Sequence, residues 1–134
     1  MTKDKLLKAI LSFMLPIIVL FFSYIQVYGE YSPGGGFQSG AILSSGLIFY
    51  TLLNSCRSVT SIFSIYSFIR LSSFGVLFYI LIGLYSMFLG DNFLEYTISQ
   101  AMGVTLVELG IALTVFSVMS SNYFVLSSVI DVEF

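Results

Sequence analysis

One acidic residue, Glu108, stands alone in a long apolar stretch of the sequence. No charged residue occurs between it and Glu95 on one side or Asp131 on the other. Inserting a carboxylate at the centre of a membrane-spanning helix costs about 2.5–3.5 kcal/mol, and such residues usually mark ion or proton paths. We therefore expect Glu108 to contribute to an ion path or to meet a neighbouring subunit. A hydrogen bond to a nearby Tyr or Ser hydroxyl is the alternative.

A second unusual segment, residues 28–40, reads YGEYSPGGGFQSG. Its proline argues against a continuing helix, and its three consecutive glycines permit positive φ or close backbone approach before the next helix. Amides at a helix start can also hold an anion or a carboxylate. The segment lacks the Lys-Ser/Thr of a phosphate-binding loop, so its composition favours a tight structural turn. The turn residues are Pro33, Gly34, Gly35 and Gly36, and the same segment contains an acid of unassigned role, Glu30.

The composition excludes most catalytic and metal-binding chemistry. The 134 residues include no histidine and one cysteine, Cys56, which excludes an intrachain disulfide, a Cys/His zinc site and any triad that needs histidine. Charged residues make up 9% of the chain, against about 25% in a soluble domain. Five basic residues form no stripe that could follow nucleic-acid phosphates. We expect an integral membrane protein with no cofactor, no metal site, no nucleic-acid partner and no enzymatic activity of its own.

The charged residues divide the chain into four apolar runs, each close to the roughly 20 residues that a membrane-spanning helix needs. The runs are continuously apolar, whereas strands of a membrane barrel alternate. The predicted helices cover residues 7–28, 37–55, 71–89 and 98–124. The predicted fold is therefore an all-α integral membrane protein, with a single four-helix membrane domain over residues 1–134.

The basic residues predict the orientation of this domain. Three lysines lie before or at the start of the first predicted helix, and two arginines flank the connection between the second and third helices. All five cations therefore lie on one side of a four-helix arrangement. Because basic loops remain in the cytoplasm, we expect the N and C termini to be cytoplasmic.

The segment between Arg57 and Arg70 allows two interpretations. Apolar residues recur in it at helical spacing, with serines on the other faces. It could lie along the membrane surface as a separate helix. It could equally be a cytoplasmic extension of the third predicted helix.

Small residues form rows on three of the predicted helices, and in lipid such rows let helix backbones approach closely. In the second helix the row is Gly36, Gly40 and Ser44; in the third it is Ser72, Gly75, Gly83 and Ser86; in the fourth it is Gly103, Gly110, Thr114, Ser117 and Ser121. On a helical wheel Glu108 lies away from the row of its own helix, beside Val104, Ala112, Val115 and Met119. The fourth helix is therefore expected to have two interfaces, one small and one carrying the acid.

Two runs carry a resemblance to a known family. The run 32–40, SPGGGFQSG, resembles the signature of the B subunit of Mrp-type (also called Mnh-type) multisubunit sodium/proton antiporters. The run 103–115, GVTLVELGIALTV, is similar to the last helix of that family. Length, number of spans and motif order also agree, so the resemblance covers nearly the whole chain. Glu30 stands where the family often has histidine, and Ser39 stands where it often has a second glycine.

The resemblance implies a small accessory subunit in the plasma membrane, packed beside larger antiporter-like subunits. The activity of that family is exchange of sodium, and sometimes other monovalent cations, for protons. Complete exchange generally needs several ionisable groups in relay, so one embedded acid indicates a component of a transporter. The implied partners are other antiporter-complex subunits, the lipid bilayer, monovalent cations and protons. We expect Glu108 to lie at a hydrated seam with a neighbouring subunit.

Two other functions are compatible with the sequence. The chain could be the equivalent subunit in a redox-driven complex related to membrane-bound hydrogenases. It could also form a homo-oligomeric channel with one Glu108 per protomer in a carboxylate ring.

Overall fold

The computed structural model describes residues 2–29, 35–54, 56–95 and 100–133. In these ranges the chain forms five helices and no strand. The helices are α1 (Thr2–Val27), α2 (Gly36–Asn54), α3 (Cys56–Ile62), α4 (Ile65–Phe88) and α5 (Gln100–Glu133). The all-helical prediction is confirmed for the part of the chain that the structure describes.

Four of these helices are long and apolar enough to cross a membrane. The candidate spans are Asp4–Val27, Gly36–Asn54, Ile65–Phe88 and Met102–Ile130. They correspond to the four predicted spans, which confirms their number and order. The side of the membrane on which the two termini lie stays a prediction.

The boundaries differ from prediction by five residues or more in three places, the first being the start of α1 at Thr2 instead of residue 7. Each interpretation of the segment 57–70 is correct for one part of it. Its first part forms the separate short helix α3, and its second part extends the next helix, since α4 begins at Ile65 instead of residue 71. Ser64 lies between them in an extended conformation and caps α4, accepting a hydrogen bond from the Ser67 amide at 3.3 Å. The last helix continues to Glu133, well beyond the predicted residue 124. No Gly or Pro follows Gly110, so the sequence contains no residue that would stop it.

Helix α5 lies at the centre of the bundle. Helices α2 and α4 pack on it, and α1 packs mainly on α2. Helix α1 is therefore an outer helix, with just 6% of its apolar span buried inside the chain. Its apolar side chains are left to contact lipid or another membrane protein.

The centre of the bundle is built from small and hydroxyl-bearing residues. Ser39, Ser44, Thr51, Ser117 and Ser120 are buried, whereas large apolar side chains cover the outside. Several of these hydroxyls donate to a carbonyl of their own helix, as in Thr51 to Leu47 at 2.8 Å and Ser117 to Leu113 at 2.6 Å. Small side chains allow close helix contacts, and these internal hydrogen bonds satisfy the hydroxyls that make them without water. The buried Ser120 hydroxyl differs, because it has no hydrogen-bond partner among the described residues.

An aromatic cluster fastens α3 to the rest of the bundle. Val59 of α3 is buried with Phe68 of α4 and Phe124 of α5. The Phe68 and Phe124 rings are stacked with centroids 5.5 Å apart. The short helix is thus held against the ends of two long helices.

Candidate functional site

The carboxylate of Glu108 lies against the two ends of the α1–α2 connection. A Cβ atom at Gly29 would overlap the Glu108 carboxylate, and a Cβ atom at Gly35 would lie 3.4 Å from Oε1 of Glu108. Gly29 follows the end of α1, and Gly35 immediately precedes α2. The structure therefore brings together the lone acid and the glycine-rich segment, which are more than seventy residues apart in sequence.

The backbone of α5 also touches the first turn of α2. A Cβ atom at Gly36 would overlap the Glu108 carbonyl oxygen and lie 2.9 Å from Cβ of Ile111. One turn further along, a Cβ atom at Gly40 would lie 2.6 Å from the Ala112 carbonyl oxygen. The two glycines thus let α2 approach α5 at backbone distance on the face that carries Glu108.

The turn before α2 contains glycine because α5 approaches its backbone closely. Among the described residues the glycine with positive φ is Gly90, in the connection after α4. Gly35 and Gly36 do not need the left-handed region that the sequence allowed. They need the space that a side chain would fill.

The opposite face of α5 packs on α4 through the row of small residues. A Cβ atom at Gly75 would lie 2.9 Å from the Gly110 carbonyl oxygen and would overlap Oγ1 of Thr114. A Cβ atom at Gly110 would in turn lie 3.3 Å from the Gly75 carbonyl oxygen. Both expected faces of the last helix are therefore occupied by helices of the same chain.

Several other predicted site residues have described positions. Ser44 is buried in α2, where its hydroxyl donates to the Ala41 carbonyl at 2.8 Å and lies 3.6 Å from Sδ of Met119 in α5. Gly103 is half-buried in α5. Glu30, Pro33 and Gly34 lie outside the described residues.

The start of α2 is a favourable neighbour for negative charge. Among the described residues, the first hydrogen bond at this helix start runs from the Ser39 amide to the Gly35 carbonyl at 3.0 Å. The amides of the first turn of a helix have no partner within the helix. These amides and the helix dipole give this end a partial positive charge. Glu108 is a half-buried residue beside it, so its carboxylate is held in a polar corner.

A buried polar pair adjoins this corner and was not identified from the sequence. Oγ of Ser39 lies 2.7 Å from Oε1 of Gln26 and 3.0 Å from the Gly36 carbonyl oxygen. Gln26 and Ser39 are both buried. Nε2 of Gln26 is buried and has no hydrogen-bond partner among the described residues. In the sequence, this pair is indicated only by the amide side chain of Gln26 among mostly apolar residues in the last turns of α1.

These features define a multi-pass helical membrane protein whose central helix holds an acid against a glycine turn. Residues 6–126 match the family model described as "Domain related to MnhB subunit of Na+/H+ antiporter". The chain belongs to this MnhB family, which confirms the resemblance seen in its two sequence runs.

Individual relatives agree with this assignment. The chain is 30% identical to the B subunit of the Na(+)/H(+) antiporter of Bacillus subtilis (strain 168), over 85% of this chain and 91% of the relative. It is 29% identical to the corresponding Na(+)/H(+) antiporter protein of Alkalihalophilus pseudofirmus (strain OF4), over 85% of this chain and 90% of the relative. Both alignments cover most of each protein, so the similarity extends well beyond the glycine turn.

Proposed function

We propose that this chain is an accessory, non-catalytic subunit of a multisubunit sodium/proton antiporter in the plasma membrane. Membership of the MnhB family over residues 6–126 supports the transporter class. Four apolar spans support a multi-pass arrangement, and the basic residues support cytoplasmic termini. The chain packs beside larger antiporter-like subunits, which supply the ionisable groups that it lacks.

The contact between Glu108 and the glycine turn carries the proposal for an ion path. Glu108 lies six residues inside the span Met102–Ile130, or about 9 Å at 1.5 Å per residue. There it lies beside Gly29 and Gly35, just outside the ends of the α1 and α2 spans, where the backbone groups are polar. A carboxylate held there can bind a proton or a monovalent cation and exchange it with groups on a neighbouring subunit.

Replacing Glu108 by glutamine tests this role. Glu108→Gln keeps the shape of the side chain and removes its charge, so we expect normal assembly of the complex. We expect sodium-dependent proton exchange in inverted membrane vesicles to fall about tenfold, which corresponds to about 1.4 kcal/mol in the barrier. The matched control is Glu95→Gln, because Glu95 is an exposed acid in the α4–α5 connection. Full exchange in assembled Glu108→Gln complex would remove Glu108 from the ion path.

A further inference from the structure

A groove of about 730 Å³ lies along the seam between one half of α1 and α2. Toward the N-terminus of α1 it begins at Lys8, which lies across from Asn54 at the end of α2. It continues along α1 to Val19. Lys8 and Val19 are eleven residues apart, or about 16 Å along a helix. That length is about half of the 30 Å hydrocarbon core, which is the depth of one leaflet.

The two helices close the groove beyond this point. A Cβ atom at Gly46 of α2 would lie 3.1 Å from Cγ2 of Ile18 of α1, so the helices are in contact there. They remain together as far as the hydrogen bond between Gln26 and Ser39. Pro16 lines the groove just before the contact and removes a backbone donor from α1. The groove therefore runs beside the N-terminal half of α1, where Leu11, between the lining residues Lys8 and Ser12, is itself buried.

The polarity of the groove changes with depth. Its open end contains Lys8, Ser12 and Asn54, whereas Leu15, Pro16 and Val19 line α1 further in. Among the described lining residues Lys8 alone carries a charge. Asp4 lies one turn before Lys8 on α1 and is not a lining residue. The groove thus combines a cation at the membrane surface with an apolar floor that ends near the bilayer centre.

This combination fits a lipid better than a helix of another subunit. The groove ends at Val19, eight residues before the end of α1, so its length matches one leaflet and not the whole membrane thickness. A phospholipid spans one leaflet and has its charge at one end. Basic residues at the membrane surface attract anionic lipids.

We propose that the α1–α2 groove binds one anionic phospholipid from the leaflet on the N-terminal side. Its phosphate contacts the Lys8 ammonium and the Asn54 amide. One acyl chain lies along Leu15, Pro16 and Val19. The lipid occupies the groove beside the contact between the two helices.

Site-specific crosslinking of the intact complex in native membranes tests this proposal. The photoreactive residue p-benzoyl-phenylalanine is incorporated at Tyr50, which lines the groove, and in a control protein at Phe13, which is exposed on α1 outside it. After illumination, mass spectrometry identifies the adducts on each protein. We expect phospholipid adducts at Tyr50, with an anionic fraction about fivefold above that at Phe13, as expected for attraction by one basic residue.

Lys8→Gln should remove this enrichment, because it removes the charge at the open end of the groove. Lys5→Gln is the matched control and should preserve it, since Lys5 does not line the groove. An adduct between Tyr50 and a peptide of another subunit would overturn the proposal and assign the groove to a protein helix. Lipid adducts with the same composition at Tyr50 and Phe13 would also overturn it.

Discussion

At the scale of single residues, a substitution at Gly29 tests the position of the Glu108 side chain. A methyl group there would occupy the position of the Glu108 carboxylate. The carboxylate is the far end of a flexible side chain, so it can move without separating the helices. The lack of a side chain at Gly29 therefore leaves the space that the Glu108 carboxylate occupies.

We predict that Gly29→Ala lowers sodium/proton exchange while the complex still assembles. The cause would be displacement of the Glu108 carboxylate from the glycine turn. A double-mutant cycle with Glu108→Gln, measured as exchange in inverted vesicles, checks the route of this effect. If the two changes act through one group, Gly29→Ala will have little further effect on the Glu108→Gln protein. Independent, additive losses would show that Gly29 acts elsewhere.

The pair of Gln26 and Ser39 should contribute to stability as a unit. Ser39→Ala removes the donor that lies 2.7 Å from Oε1 of Gln26, and a buried polar group left without a partner costs about 1–3 kcal/mol. We expect thermal unfolding of the purified complex to begin at a lower temperature. Ser45→Ala should change little, because that half-buried hydroxyl bonds its own helix at the Ile42 carbonyl.

Adding Gln26→Leu to Ser39→Ala gives the decisive comparison. It removes the amide that has lost its partner, and exchanging both members of a buried polar pair for apolar groups can be nearly neutral. We expect the double variant to unfold at a higher temperature than Ser39→Ala alone. A further decrease would mean that Gln26 stabilises the protein through contacts other than Ser39.

At the scale of the helices, the close contact between α2 and α5 should depend on Gly36. Alanine there would place Cβ against the backbone carbonyl of Glu108 and 2.9 Å from Cβ of Ile111. Neither atom can move unless the helices separate, and overpacking of this kind typically costs about 1–3 kcal/mol.

We predict that Gly36→Ala lowers the amount of assembled complex in the membrane, measured by blue native electrophoresis. The matched control is Phe37→Ala at the next position, whose side chain is exposed. Equal amounts of complex in Gly36→Ala and the unmodified protein would show that the contact between α2 and α5 tolerates a methyl group.

The sequence predicts the long helices well, because their apolar runs are separated by charged residues. It predicts their ends less well. A helix needs about 20 residues to cross the membrane. Helix α5 has 34 residues, because no helix-breaking residue stops it. The division of residues 57–70 depends on the Ser64 cap and on burial of Val59 with Phe124. That second partner is distant in sequence, so local periodicity could not reveal it.

The candidate site shows the same limit. The helical wheel places Glu108 beside Ala112, away from the row of small residues. It cannot show that α2 packs on that face, which brings Gly36 to Glu108 and Gly40 to Ala112. The buried contact of Gln26 with Ser39 could not be predicted, because a single amide near a helix end has no distinctive spacing.

At the scale of the whole molecule, both interfaces of α5 are used within the chain, whereas α1 presents most of its surface outward. Contacts with other subunits are therefore expected mainly through the outer helices and around the half-buried Glu108. This arrangement suits a small subunit that fits beside larger ones. In the proposed function, the one embedded acid of each chain contributes a part of an ion path.

Affinity purification of the tagged chain after gentle solubilisation, followed by mass spectrometry, tests the accessory-subunit proposal most directly. We predict that large antiporter-like membrane subunits copurify in an assembly that lacks redox proteins. Recovery of the chain alone as a defined oligomer would contradict the proposal and favour a homo-oligomeric channel. Copurification of iron–sulfur or nickel–iron subunits would also contradict it and place the chain in a redox-driven complex.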